Sequence, residues 1–282
     1  MPASLYVVST PIGNLDDITL RALSTLKSVG LIAAEDTRRT SILLRHFGIT
    51  TPTTSLHEHN EHQKLPELLQ KLAGGQDVAL VSDAGTPLVA DPGQRLVAAA
   101  IEKGIRVIPI PGASAVLSAL AVSGLPADNF VFAGFAPARS NERKRWLQNL
   151  AHEQRPIVIF ETPHRIQKTL TEIPTILGER PIIIGRELTK IHEEIIRTST
   201  TLAYNLKIKA KGEFTIIVGP SLVPDAPAEN VDNKDVVEFF YHLTNNNGLG
   251  RRDALSQTAR KFGLSTNSVY RTVERLKPPP TP

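Results

Sequence analysis

Ser82-Asp83-Ala84-Gly85-Thr86-Pro87 follows the apolar run at 78–81 and leads to Asp91-Pro92-Gly93. The order reads as strand, small-residue turn, helix start. In an open α/β sheet, ligands bind where loops leave the carboxyl ends of strands. A turn built of Ser, Ala, Gly and Thr has short side chains, so its backbone groups can touch a ligand directly. Two further loops share this character: Pro111-Gly112-Ala113-Ser114-Ala115 after the run 105–110, and Ser9-Thr10-Pro11-Ile12-Gly13-Asn14 after the run 5–8. Three such loops in one half of the chain predict an enzyme with a nucleotide-sized cofactor.

Apolar runs alternate with helical patterns around these loops. Strands are expected at 5–9, 31–34, 53–56, 78–82 and 106–110, with helices at 19–27, 38–46, 61–73 and 92–103 between them. Thr19 is a candidate N-cap. A β-α-β-α order implies a mostly parallel sheet covered on both faces. After a helix opened by Gly112, Gly124-Leu125-Pro126 breaks the pattern. Strands at 130–134, 157–160, 182–186, 193–198 and 214–218 then alternate with helices at 141–151, 165–177 and 200–206. The expected division is 1–121 and 122–220 as two α/β domains, with a helical module at 231–277. Residues 220–230, with Pro220, Pro224 and Pro227, read as a linker, and Pro278-Pro279-Pro280 as the end of order.

Of the 282 residues, 41% are hydrophobic and 21% charged, which is the balance of a globular protein able to bury a sizeable core. No apolar run is long enough to span a bilayer, and no signal-like stretch precedes the first strand, so a cytoplasmic protein without membrane contact is expected. The absence of cysteine removes disulfides, thiolate zinc sites and cysteine nucleophiles. The net charge of +4 permits an anionic partner without requiring one. The first loop lacks G-x-G-x-x-G, and no loop carries G-K-[ST], so NAD and ATP lose ground. Backbone contact from small residues suits a cofactor without phosphates, such as S-adenosylmethionine.

The stretch 5–14 followed by Ile18-Thr19-Leu20-Arg21-Ala22 resembles the first motif of the tetrapyrrole methylase superfamily, and SDAGTP and PGASA resemble its second and third cofactor loops. Ala34-Glu35-Asp36-Thr37-Arg38, Leu56-His57-Glu58-His59-Asn60-Glu61, Glu161-Thr162-Pro163-His164-Arg165 and Arg186-Glu187-Leu188-Thr189-Lys190 are together similar to the branch that methylates a cytidine ribose 2′-hydroxyl in 16S ribosomal RNA. The resemblance spans about 4–219 and implies two α/β domains with a cofactor cleft between them. It implies S-adenosylmethionine held by Pro11, Ser82, Asp83, Ala84, Gly85, Thr86, Val89, Ser114, Ala115, Phe160, Glu161, Gly212 and Glu213. It also implies a homodimer acting on the small ribosomal subunit. Where the superfamily's first loop has Gly-x-Gly-Pro, this chain has Ser9-Thr10-Pro11-Ile12, which argues against a tetrapyrrole substrate.

Methyl transfer to a ribose hydroxyl is an in-line displacement, accelerated by alignment and by a base for the hydroxyl proton. Glu35, Asp36, Arg38 and His57 are the catalytic candidates; the bland alternative is that Asp36 or Thr37 caps a helix and Glu35 pairs with Arg38. His57 and His59 lack a third ligand nearby, so no metal is expected. Arg143 and Arg145, in a basic run with Arg139 and Lys144, are candidates for phosphate contact or form a solvated helix face. His164 and Arg165, with Arg186, Glu187 and Lys190, are candidates for the substrate side of the cleft; a surface ion-pair network is the alternative for the second group.

Residues 251–275 carry a helix-turn-helix spacing: Ala259, Gly263 and Val269, with Gly263-Leu264-Ser265 as the turn and Ser265 as cap. A DNA reader would present Thr266, Asn267, Ser268 and Arg271. The favoured reading is an appendage that docks RNA or stabilises a dimer. Two rival functions stand beside the RNA methylase: a methylase of tetrapyrrole precursors, and a ligand-sensing DNA-binding regulator.

Overall fold

The computed structural model describes residues 3–221, 232–246, 249–262, 264 and 266–276. The first half forms β1 (Ser4–Val8), β2 (Leu31–Ala34), β3 (Thr53–Ser55), β4 (Val78–Val81) and β5 (Arg106–Ile110). They make one sheet in the order β3-β2-β4-β1-β5, with every pairing parallel. All five carboxyl ends therefore meet one edge. The central strands are apolar throughout because both faces are covered. Leu31, Ala33, Val78 and Leu80 join one buried cluster, and Ile32, Ala34, Ala79 and Val81 the other. The covering helices are α1 (Leu20–Ser28), α2 (Thr37–His46), α3 (Glu61–Ala73), α4 (Gln94–Glu102) and α5 (Ala115–Ala121).

Thr19 caps α1 as expected, its side chain accepting from Ala22 N at 3.1 Å. Two helix starts differ from expectation by two residues or more. α4 begins at Gln94 because Gly93 before it is left-handed (φ +111). α5 begins after Ser114, whose hydroxyl caps Leu117 N, rather than at Gly112.

The second sheet contains β6 (Val131–Phe135), β7 (Ile157–Glu161), β8 (Pro181–Arg186), β9 (Glu194–Ser199) and β10 (Phe214–Val218) in the order β6-β7-β10-β8-β9. Here only β6 and β7 run parallel, joined across α6 (Ser140–Asn149). β8 and β9 form a hairpin around the turn 187–193, and β10 lies antiparallel to both of its neighbours. α7 (Ile166–Leu177) and the short α8 (Thr200–Ala203) complete this half. Pro163 stands in the turn before α7. The halves read as 1–121 and 122–220 carry one sheet each, and Met1–Ser221 is a single compact unit. The reason is a shared core: Ile12 and the α5 residues Val116, Ala119 and Leu120 pack with Val158, Ile183 and Ile217 of the second sheet and Leu188 of its β8–β9 turn. Burying a side chain of this size is worth about 1.5–3 kcal/mol.

Leu222–Pro282 is a second unit. Its α9 (Asn233–Tyr241), a π-helical turn at His242–Asn246, α10 (Arg251–Phe262) and α11 (Thr266–Arg275) enclose a core of Val236, Phe240, Leu243, Ala254, Leu255, Ala259, Val269 and Val273. The helix pair read from sequence is thus part of a cluster of three helices. The linker's Pro224 and Pro227, the turn residues Gly263 and Ser265, and Pro278-Pro279-Pro280 lie outside the described residues. No helix among the described residues is long and apolar enough to cross a membrane.

Candidate active site

Parallel strands deliver the loops after β1, β2, β4 and β5 to one edge, and main-chain bonds lock them together. Thr10 and Gly85 exchange backbone hydrogen bonds at 2.8 and 3.0 Å. Glu35, just past β2, accepts from Asp83 N at 3.2 Å, and Asp83 accepts from Asp36 N at 3.0 Å. Over this edge opens a cavity of about 380 Å³. Its first-sheet wall is Ile12, Glu35, Arg39, Asp83, Ala84, Gly85, Thr86, Val89, Ala90, Asp91, Ser114, Ala115 and Val116. The opposite wall is Phe135, Phe160, Glu161, Thr162, Pro163, Gly212, Glu213, Phe214 and Thr215.

The chemistry of this lining selects its ligand. Among the described residues the lining holds five carboxylates, Glu35, Asp83, Asp91, Glu161 and Glu213, and one basic side chain, Arg39; Arg165 and Lys190, outside the lining, pair with Glu161 and Glu213. Such a wall repels a polyphosphate and suits a neutral or cationic ligand with hydroxyls to donate and an apolar part to rest against phenylalanine. Burial raises the carboxyl pKa values of Glu35 and Asp83. Burial, with smaller contributions from the Glu35 and Asp83 charges, pushes Asp91 up to about 6. The Glu161 carboxylate is committed inward: it accepts from Thr162 N at 2.7 Å and Thr169 Oγ1 at 2.6 Å, and pairs with Arg165 at 3.0 Å.

Several residues singled out from sequence stand elsewhere. Pro11 and Ser82 line a smaller neighbouring cavity of about 140 Å³, which shares Arg39 and Asp83 with the larger one. Asp36 and Arg38 are outside the cavity lining and bind each other. Asp36 caps α2 through Arg38 N at 2.9 Å and holds the guanidinium at 2.8 Å. That side-chain hydrogen bond pulls the Asp36 pKa down to about 2. This is the capping alternative, with Asp36 rather than Glu35 as the partner of Arg38. His57 is also outside the lining. Its backbone N–H donates to Asn60 Oδ1 at 2.8 Å, while its buried ring Nδ1 has no hydrogen-bond partner among the described residues.

Arg143 corrects its expectation outright. It is 2% exposed and doubly bound to Glu172, at 2.7 and 2.9 Å, with Pro137 and Ala138 carbonyls on its third nitrogen. Its helical phase turns it into the gap between α6 and α7, so it has no free donor face for phosphate. Arg145, two positions on, is exposed, as is His164. Arg186 pairs with Glu194 at 3.0 Å, and Lys190 bridges Glu187 at 2.8 Å and Glu213 at 3.1 Å. These are ion pairs of the protein with itself, the alternative weighed for that group.

Arg39 and Asp91 were not singled out from sequence. Arg39 is separated from Arg38 by one helical step, which takes it to Asp83 at 3.3 Å. Asp91 reaches the cavity because Leu88 and Ala90 adopt positive φ (74° and 65°) and curl the loop. Leu and Ala give no sign of such backbone.

Residues 4–203 match the profile described as Tetrapyrrole (Corrin/Porphyrin) Methylases, and the chain belongs to this family. Solved structures of similar fold include a cobalamin biosynthetic enzyme, cobalt precorrin-4 methyltransferase (19% identical, TM-score 0.58, covering 78% of this chain and 96% of that one). Diphthine synthase is another (15% identical, TM-score 0.62, covering 77% and 90%). Curated relatives are nearer in sequence. "Ribosomal RNA small subunit methyltransferase I" of Synechocystis sp. is 48% identical over 270 residues, 94% of this chain and 95% of the relative. Proteins of the same name from Haemophilus influenzae (50% identical, 94% of each chain) and Escherichia coli O157:H7 (53% identical, 95% and 93%) are similar over comparable lengths. The chain is a methyltransferase, and methyltransferases of this family use S-adenosylmethionine. The lining fits that group: it is poor in cations, rich in carboxylates and small residues, and edged by three phenylalanines.

Proposed function

We propose that this protein transfers a methyl group from S-adenosylmethionine to the ribose 2′-hydroxyl of a cytidine in 16S ribosomal RNA, acting on the small ribosomal subunit as a cytoplasmic homodimer. One observation carries the reading. An acid-lined cavity assembled from small-residue loops occurs in a chain about half identical, over nearly its whole length, to proteins named for small-subunit ribosomal RNA methylation.

S-adenosylmethionine supplies a methyl already activated on a cationic sulfur. The chain's task is to bind, align and accept a proton. The small residues Ala84, Gly85, Thr86, Ser114 and Ala115 leave backbone groups within reach of a ligand, and the carboxylates favour its positive charge. Glu35 is the candidate proton acceptor. It lies in the lining, and burial raises its pKa toward that of a useful base. Asp36, Arg38 and His57 stand at the neighbouring strand ends, where an incoming ribose and its phosphates would pass. Pro11 and Ser82 would support the cofactor loops from behind. Exposed Arg145 and His164 are the phosphate contacts of this reading.

A tetrapyrrole substrate has less support, because the nearer relatives bear ribosomal names. A DNA-binding regulator has less still, since those relatives also extend over the helical module. The test is incubation of undermethylated small subunits with labelled S-adenosylmethionine, then mapping of the label. Label on a cytidine ribose supports the proposal. Label on a base or on protein refutes it. Light scattering at twice the monomer mass tests the dimer.

A further inference from the structure

The loop carrying Gly212 and Glu213 forms part of the cavity wall, yet it lies far along the chain from the loops of the first sheet. A network around Lys190 joins them. Lys190 Nζ donates to Glu187 Oε1 at 2.8 Å and to Glu213 Oε2 at 3.1 Å. Glu213 N donates to the same Glu187 oxygen at 3.0 Å, and Glu187 N donates to Glu213 O at 3.0 Å. The turn holding these groups is strained, with Glu187 at φ +52° and Thr189 at φ +68°. Burial works against the Glu187 and Lys190 charges, but their mutual hydrogen bonds prevail, lowering the Glu187 pKa and raising that of Lys190.

Two contacts show how closely the parts fit. Gly212 is at φ +95°, and a Cβ there would lie 2.5 Å from Glu187 Cδ. On the other side of the turn, a Cβ at Gly13 would lie 2.4 Å from Lys190 Cγ and 2.9 Å from Leu188 O. Gly13 belongs to the first loop, whose Thr10 is bonded to Gly85. A continuous path of contact therefore runs from Glu213, through Glu187 and Lys190, to Gly13 and the cofactor loops of the first sheet.

We infer that Lys190 is a positioning residue for cofactor binding: it clasps the Gly212–Glu213 wall against the first loop and keeps the cavity at its binding width. This rests on reading the cavity as the S-adenosylmethionine site, and it replaces substrate contact as the role of Lys190. The physical basis is preorganisation, since a wall already held in place loses less freedom when the ligand binds.

The experiment is calorimetric titration of the full chain with S-adenosylhomocysteine, for wild type, Lys190→Met, Lys190→Arg, Glu187→Gln and Gly13→Ala, with thermal melts of each. Lys190→Met should weaken binding about tenfold, the scale of one charge-assisted hydrogen bond. Lys190→Arg should restore affinity to within about threefold of wild type by keeping the charge and donors. Glu187→Gln and Gly13→Ala should weaken binding in the same direction. Wild-type affinity in a folded Lys190→Met or Glu187→Gln protein overturns the inference while leaving the cavity reading intact. Loss of melting temperature with unchanged affinity does the same, since the network then serves stability only. Failure of the wild type itself to bind overturns the cavity reading and the inference together.

Discussion

Glu35 and Asp83 brace each other's loops. The Glu35 carboxylate accepts the N–H of Asp83, and the Asp83 carboxylate accepts the N–H of Asp36, the residue after Glu35. Each side chain thus satisfies the backbone of the other strand end, and Arg39 binds the remaining Asp83 oxygen. Asp83→Ala removes one half of the brace and the Arg39 partner. The expected result is at least tenfold weaker S-adenosylhomocysteine binding by calorimetry. Unchanged affinity would show that the brace does not shape the site.

Glu35→Gln separates support from chemistry. The amide oxygen can still accept from Asp83 N, so cofactor affinity should stay within about threefold, but the proton acceptor is lost. Single-turnover methyl transfer should fall by about 10²–10⁴. A wild-type rate would move the base elsewhere, with His57, whose Nδ1 has no partner among the described residues, the next to substitute.

Asp91 predicts a pH signature. Its folded pKa, raised by burial to about 6, lies above the ordinary value of 3.8. The folded state therefore binds the proton more tightly than the unfolded state. Its contribution to stability is fully present below about pH 4 and is lost as pH rises through 6. Asp91→Asn removes the buried charge, so it should raise the melting temperature more at pH 8 than at pH 5. Equal shifts at both values would mean that Asp91 ionises as an ordinary surface carboxyl.

Arg143 and Arg145 should part company. Arg143→Ala strands the partly buried Glu172 carboxylate and should cost about 3–5 kcal/mol in denaturant unfolding. It should leave the salt dependence of RNA binding unaltered wherever the protein is folded. Arg145→Ala should leave stability within about 0.5 kcal/mol and reduce the salt slope by about one unit. The reverse pattern in filter binding would put Arg143 on the RNA.

Much of the first sheet was readable locally. Unbroken apolar runs at 31–34 and 78–81, small-residue turns after the second of them and a Thr cap at 19 each reflect short-range physics. Parallel strands then oblige those turns to share an edge. That is why local sequence places Glu35, Asp83, Ser114 and Ala115 at one edge, where all four line the cavity. The same logic reached Phe160, Glu161, Gly212 and Glu213 only through family resemblance, since nothing local ties them to the first half.

Tertiary structure decided the direction in which each side chain points and what it meets there. One residue of helical phase buries Arg143 and leaves Lys144 exposed, and one more step sends Arg39 rather than Arg38 to Asp83. The left-handed residues Leu88 and Ala90 bring Asp91 into the cavity against their intrinsic preference. Lys190 reads in sequence as a substrate contact or a member of a surface ion-pair network, and becomes a clasp only because the hairpin turn packs onto Gly13. Composition and periodicity set which elements form and which edge carries the loops, because those follow from local backbone and hydrophobic preferences. Partnership between charges distant along the chain is settled by packing, because the energy of an ion pair depends on where the fold puts its partner and how much water it leaves between them.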